Sequence, residues 1–160
     1  MKKAIVIPSY RAEKTLPSVL ERIPKAFWED GTAVIVNDCS PDATGEVADK
    51  LKQQWPSVEV VHHQKNRGYG GAQKTGLRKG LEVGAQAFAV VHADGQYAPE
   101  LVLELMAPLL SGEAKIVQGS RMLAGGALKG GMPLVRYIPN RALTLFENAL
   151  FRTSMADFHS

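Results

Sequence analysis

The sequence predicts an α/β fold built on a mostly parallel sheet, and three observations lead there. Short apolar runs rich in Val and Ile recur along the chain: "KAIVIPS", "TAVIVND", "VEVVHH", "AFAVVHA" and "AKIVQGSR". Segments with apolar residues at helical spacing separate most of them, which is the alternation of βαβ units. The runs are apolar almost throughout instead of alternating, as expected of strands covered on both faces. A chain of 160 residues suits one domain with a sizeable core.

Each element follows in order. "KAIVIPS" (3–9) reads as a buried strand closed by Pro8 and Ser9. In "EKTLPSVLERIPKAF" (13–27), Leu16, Val19, Leu20, Ile23 and Phe27 recur at helical spacing. Pro17 suits an early turn there, and Pro24 frays or ends the helix. "TAVIVND" (32–38) is the second strand. "SPDATGEVADKLKQQW" (40–55) is the second helix, with Ser40 as N-cap, Pro41 in the first turn and Val47, Ala48 and Leu51 apolar. After the third strand, "VEVVHH" (58–63), the glycine-rich "NRGYGGAQ" leads into a helix over 71–84. Its Leu77 and Leu81 share a face, flanked by Val83, with Gly84 near the end. "AFAVVHA" (87–93), the helix "PELVLELMAPLL" (99–110) and the strand "AKIVQGSR" (114–121) complete the alternation.

The texture then changes. "MLAGGALKGGMP" (122–133) lacks periodicity and is expected to be a mobile glycine-rich loop. "LVRYIPNRALTLFENALFR" (134–152) is an amphipathic helix that Pro139 interrupts near its start. The closing "TSMADFHS" has neither a capping glycine nor a polar tail, so the chain is expected to be a piece of a longer protein.

Composition narrows the function classes. The formal charge of +3 is mildly basic, but Lys and Arg are scattered and form no stripe for nucleic acid. The one cysteine, Cys39, excludes an internal disulfide and fits a reducing compartment. The apolar run in "MKKAIVIPSYR" is four residues before Pro8, short of a signal peptide or membrane span. The expected location is the cytoplasm or the cytoplasmic face of a membrane.

In open parallel sheets, ligands bind outside the carboxyl ends of the strands. The residues expected there are Pro8, Ser9 and Tyr10; Asn37 and Asp38; His62 and His63; His92 and Asp94; and Gly119, Ser120 and Arg121. Asp38 either caps the second helix or hydrogen-bonds a base or ribose. Asp94 either makes an ordinary Asp-Gly turn or holds a hard divalent cation together with water and substrate phosphates. His92 suits a softer transition metal better than Mg²⁺, and a core or supporting histidine is an equal reading. "GYGGAQKTG" follows the third strand, out of register for a dinucleotide fingerprint and without Walker A spacing. It reads either as a tight turn into a helix or as a helix start favouring phosphate. No G-x-S-x-G elbow and no zinc-ligand spacing occur.

Taken in order, "IVIPSYRAEKTL", "VIVNDCSPDAT", "NRGYGGAQKTGL", "VVHADGQYAPE" and "IVQGSRM" resemble the landmarks of family 2 glycosyltransferases, nearest the dolichyl- or polyprenyl-phosphate sugar transferases. The resemblance spans nearly the whole chain. It implies a GT-A, Rossmann-like, three-layer α/β/α sandwich over 1–160, missing a C-terminal acceptor part, since "MADFHS" looks like the start of a block that is cut off. It implies an inverting transfer from a nucleotide-diphosphate sugar, of UDP-glucose or GDP-mannose type, with Mg²⁺ or Mn²⁺. Pro8, Ser9, Tyr10 and Glu13 would hold the nucleotide end, and Asp38 the base or ribose, with Arg67 and the turn Gly68–Gly71 beside it. Asp94 would be the metal-binding aspartate of a DxD-like motif, with Gln96 close to the same metal. Arg121 would lie near a donor or acceptor phosphate, and Asp157 near the acceptor. The departure is His92, where the motif's first aspartate would stand; it is a further candidate metal ligand.

If the acceptor is a lipid phosphate, it is already an anionic nucleophile and needs no protein base. A hydroxyl acceptor would need a carboxylate base, for which Asp157 is the candidate. The apolar set of 134–152 either packs on the domain's own sheet or lies against an anionic bilayer as a peripheral contact. A homodimer is also admitted. The competing readings are a nucleotidyltransferase, which should show a glycine-rich loop after the first strand where "PSYRAEKT" has none, and a nucleotide-sugar-binding fragment that turns nothing over.

Overall fold

The computed structural model describes residues 1–120, 122 and 126–156, and the chain divides into two compact units, Met1–Val117 and Gln118–Ser160. In the first unit, β1 (Lys3–Ser9), β2 (Gly31–Asn37), β3 (Val58–His62) and β4 (Ala87–Val90) form a sheet in the order β3-β2-β1-β4. Its three pairings are parallel, and the register sets Val6 beside both Val34 and Val90, and Ser9 beside Asn37. The helices between and after them are α1 (Leu16–Glu21), α2 (Thr44–Gln54), α3 (Gly68–Glu82) and α4 (Val102–Leu110).

Strand order and handedness together place the helices. From β1 through β2 to β3 the chain moves one way across the sheet, so right-handed crossovers put α1 and α2 on one face. From β3 it returns past β1 to β4, which puts α3 on the other face. The core has this division. Ile5, Ile7, Ala33 and Ile35 pack with Leu16, Val19 and Leu20 of α1, Ala48 and Leu51 of α2, and Val102 and Met106 of α4. Val34 and Val36 pack with Ala72 of α3. Both faces are covered, so the central strands are apolar throughout, as expected.

Helix α3 corrects the sequence reading in two ways. It starts at Gly68, so the expected 68–71 turn is its own first turn. Its buried residues are Ala72, Gly76 and Gly80, whereas Leu81 is exposed. The small residues let the helix backbone lie directly on the sheet. A Cβ on Gly76 would collide with Val6 and sit 3.2 Å from Val36, and one on Gly80 would meet Phe88. Apolar periodicity points to Leu77 and Leu81 because it is blind to a contact made by the absence of side chains.

Other boundaries also move. The first predicted helix ends at Glu21, and after the extended Pro24 the chain makes a separate 3-10 turn, Lys25–Glu29. The second starts at Thr44, not Ser40, because the Ser40 hydroxyl accepts the Arg11 N–H instead of capping the helix (3.2 Å). Strand β4 stops at Val90, and α4 is preceded by the 3-10 turn Pro99–Leu101. Residues 114–120 form no strand, so the predicted fifth strand is absent. Ala114 N–H instead donates to the Pro108 carbonyl (3.0 Å), which turns the chain back on the end of α4, and Ile116 is exposed.

The second unit contains α5 (Gly126–Lys129), a single turn within the expected loop, and α6 (Leu134–Phe151). Helix α6 runs through Pro139 without a break, contrary to the expected interruption. Its end is capped without glycine. Arg152 adopts the left-handed conformation at φ 54, and the Asn148 side-chain oxygen accepts from Thr153 Oγ1 and Met155 N, each at 2.8 Å. Arg121 and Asp157 lie outside the described residues.

Candidate functional site

The chain adds strands outward from β1 through β2 to β3 and then returns to place β4 on the other side of β1, so the crevice open to a ligand lies at the carboxyl ends of β1 and its neighbours β2 and β4. At the end of β1, Pro8 is half-buried, Ser9 is buried and Tyr10 is exposed. Ser9 Oγ donates to the Ile7 carbonyl (3.0 Å), and the Ser9 carbonyl accepts the Asp38 N–H (3.0 Å). The Arg11 guanidinium lies 5.6 Å from the centre of the Tyr10 ring.

The β1–α1 loop is tied to the start of α2. Glu13 Oε2 accepts the Ala43 N–H (2.9 Å), and the fully buried Thr44 accepts the Ala12 N–H at its hydroxyl (2.8 Å). Thr44 in turn donates to Asp42 Oδ1 (2.6 Å). Burial pushes the Asp42 carboxyl up, but hydrogen bonds from the Thr44 hydroxyl and backbone hold it below the usual carboxylate range.

At the end of β2, Asp38 is buried and its Oδ1 has two partners: His63 Nδ1 at 2.6 Å and the Arg67 N–H at 2.8 Å. The other His63 nitrogen, Nε2, is 2.9 Å from Thr75 Oγ1 on α3. One carboxylate therefore fixes both the end of β3 and the start of α3. Next to it, Asn37 accepts the Ser40 N–H (3.1 Å), and its amide contacts His62 Nδ1 (3.1 Å).

Past β4, Asp94 and Gln96 are exposed. Asp94 Oδ1 accepts the Gln96 N–H (3.0 Å), which closes a turn around Gly95 at φ 71. Arg22 anchors this turn, with Nη1 donating to the Gly95 carbonyl (3.1 Å) while Nε and Nη2 grip Glu100 at 2.6 and 3.0 Å. His92 lies between two aromatic rings, 5.1 Å from Tyr69 and 4.5 Å from Tyr97 between centroids. Its Nε2 is 3.0 Å from the Tyr69 hydroxyl. Burial, with the neighbouring Tyr97, raises the Tyr69 phenol above its ordinary range.

Among the described residues, no three His, Cys, Asp or Glu side chains gather closely enough to cage a metal. The donors at the β4 end are hard oxygens, the Asp94 carboxylate and the Gln96 amide. They fit Mg²⁺ or Mn²⁺ only if a diphosphate and water complete the shell. A surface hollow of about 530 Å³ lined by Trp28, Asp30, Gly31 and Pro56 lies at the amino-terminal ends of the strands, away from these groups. The strand-end position outweighs that concavity.

The structure links Ser9, Asp38, Arg67 and His63 in one network, and Asp94 and Gln96 in one turn. The sequence reading missed Thr75, Tyr69, Tyr97 and Arg22. Tyr69 and Gln73, four apart on α3 and joined by a hydrogen bond of 3.4 Å, were the accessible signal, since that spacing stacks side chains on one helix face.

Comparison with known proteins adds the family. Over 157 residues, the chain is 33% identical to the undecaprenyl-phosphate mannosyltransferase of Micrococcus luteus, covering 98% of this chain and 63% of that one. It is 29% identical over 152 residues to the UDP-N-acetylglucosamine–dolichyl-phosphate N-acetylglucosaminyltransferase of Methanococcus voltae, covering 88% and 59%. The chain thus spans less than two thirds of these relatives' length. Among solved structures, S. aureus TarS 1-349 in complex with UDP-GlcNAc matches with a TM-score of 0.57 at 19% identity, over 78% of this chain and 38% of that one, a likeness of fold. The family model described as glycosyl transferase family 2 matches residues 4–158, and the chain belongs to that family.

Proposed function

We propose that the protein transfers a sugar, with inversion, from a nucleoside-diphosphate sugar of UDP-glucose or GDP-mannose type to a polyprenyl or dolichyl phosphate. The observation that carries this reading is that Ser9 ends β1, Asp38 follows β2 and Asp94 lies on the segment after β4, all beyond the carboxyl side of three adjacent strands on both sides of the reversal point. The named acceptors of the relatives, undecaprenyl and dolichyl phosphates, support the acceptor class.

Asp38 accepts from the base or ribose through Oδ2, which has no hydrogen bond among the described residues. Pro8, Ser9, Tyr10 and Glu13 border the nucleotide, and Arg67 with the first turn of α3 lies beside it. Asp94 and Gln96 would hold Mg²⁺ or Mn²⁺ against the diphosphate, and the bound cation would supply charge neutralisation to the leaving group. A lipid phosphate attacks as an anion, so no described side chain has to remove a proton. Arg121 is assigned to the donor or acceptor phosphate, and Asp157 to the acceptor. Helix α6 exposes Leu134, Val135, Ile138, Leu145 and Phe146, a composition suited to resting on a bilayer at the cytoplasmic face. Among the described residues, no helix is long and apolar enough to cross a membrane.

Calorimetry with UDP and GDP, with and without Mn²⁺ or Mg²⁺, tests the donor half. One nucleotide should bind in a metal-enhanced manner, and Asp94→Ala should abolish the enhancement. Undiminished metal-dependent affinity in that variant would overturn Asp94 as the anchor. Product analysis on the full-length protein, comparing polyprenyl phosphate with glycan acceptors, tests the acceptor half.

A further inference from the structure

The position two residues before Asp94 is held by His92, and its surroundings decide what it can offer. The Gln73 side-chain amide donates to the Tyr69 oxygen at 3.4 Å. An amide NH₂ has no lone pair to give, so the phenol accepts there and its own proton is available to the next neighbour. That neighbour is His92 Nε2, 3.0 Å away. A neutral imidazole that accepts at Nε2 has its proton on Nδ1. The flanking Tyr69 and Tyr97 rings, tilted 44° and 48° to the imidazole, restrict its rotation. In that tautomer the Nε2 lone pair is engaged by the phenol and is not offered to a metal, while the Nδ1–H has no hydrogen-bond acceptor among the described residues.

We propose that His92 is a hydrogen-bond donor to the diphosphate of the bound nucleotide through Nδ1–H, and not a ligand of the divalent cation, with Tyr69 fixing its tautomer. The proposal rests on the nucleotide-sugar reading given above. A carboxylate in the place of His92 would offer the cation a second anionic oxygen. The imidazole instead offers the phosphate oxygens a donor, and hydrogen bonds to an anion are the stronger kind. The cation is then left to Asp94, Gln96 and the diphosphate itself, a set of oxygen donors appropriate to Mg²⁺ or Mn²⁺. Tyr69 and Gln73 lie on the first two turns of α3, so the same helix that meets the Asp38 network also sets the proton position beside Asp94.

Three measurements test this. Nitrogen-15 NMR of the free protein should show His92 with a protonated Nδ1 and a bare Nε2, and Tyr69→Phe should shift proton population toward Nε2. Electron spin-echo spectra of the Mn²⁺ complex with UDP or GDP should lack a coordinated imidazole nitrogen. Calorimetry without metal should show His92→Ala weakening diphosphate binding roughly 10-fold, with His92→Gln, which keeps an N–H donor, retaining most of the affinity. A dominant Nε2–H tautomer would overturn the proposal, as would a manganese–nitrogen coupling that disappears in His92→Ala, or unchanged diphosphate affinity in that variant. Failure of both UDP and GDP to bind under any condition would overturn the nucleotide reading and the diphosphate role together. Failure in the His92 measurements alone leaves the nucleotide reading standing.

Discussion

Nδ1 of His63 lies 2.6 Å from Oδ1 of Asp38, and both side chains are at least nine-tenths buried. A carboxylate accepts only, so His63 donates, and its opposite nitrogen reaches Thr75 on α3 at 2.9 Å. The link joins the ends of β2 and β3 to the helix on the far face of the sheet.

Removing the ring should be costly. His63→Ala leaves a buried carboxylate short of a partner, an expected loss of about 1–3 kcal/mol of unfolding free energy, measured by urea denaturation. Nucleotide affinity should fall as well, because the orientation of Asp38 is no longer fixed. A variant as stable as wild type with unchanged UDP or GDP affinity would contradict this role.

The close approach of α3 makes two glycines of the same helix respond oppositely. Gly76→Ala places a methyl group inside the Val6 contact and should destabilise by about 1–3 kcal/mol. Gly70 has nothing within 4 Å of an added Cβ and no positive φ, so Gly70→Ala should stabilise by about 0.5–1 kcal/mol. Thermal unfolding of the two variants side by side checks the sign of each.

Thr44 offers a test at the start of α2. Thr44→Val keeps the shape but strands the Ala12 N–H, which it accepts at 2.8 Å, and should cost about 1–3 kcal/mol. Asp42 also loses the hydroxyl bond that, together with backbone N–H groups the variant keeps, holds its carboxyl below the usual range. A depressed carboxylate contributes stability above its unfolded pKa, and the contribution is lost as pH falls through the folded one. The stability gap between wild type and variant should therefore narrow in acid, as read from melting temperatures across pH.

The Arg22–Glu100 pair should affect binding more than folding. The Arg22 hydrogen bond holds the Glu100 carboxyl below its ordinary range, so whatever the pair adds to stability is present near neutrality and lost as pH falls through that lowered value. Both partners are solvent-accessible, and Glu100→Gln should change the melting temperature little at pH 7. Because Arg22 also holds the Gly95 carbonyl, Arg22→Ala should weaken Mn²⁺-dependent nucleotide binding while leaving metal-free binding near wild type. Calorimetry with and without Mn²⁺ separates the two effects.

Much of this was legible in the sequence. The first four apolar runs are strands, the central β1 and β2 rich in Val and Ile because both faces of the sheet are covered there, and Asp38 and His63 follow directly on β2 and β3, while Asp94 lies four residues past β4. The fifth run was not legible: "AKIVQGSR" has strand composition, but pairing needs a free edge within reach, and the Ala114–Pro108 hydrogen bond spends the segment elsewhere. The α3 contact was hidden for a different reason, since glycine contributes no periodicity to detect.

By itself, then, the sequence determined the fold class, the strand-end residues and the order of motifs that marks the family, because these depend on local composition and spacing. Tertiary structure alone decided which groups share protons. Asp38 reaches His63, His63 reaches Thr75 and His92 reaches Tyr69, across 25, 12 and 23 positions of chain. Such pairings depend on the strand order β3-β2-β1-β4 and on the face each crossover helix takes, which no spacing along the chain encodes directly.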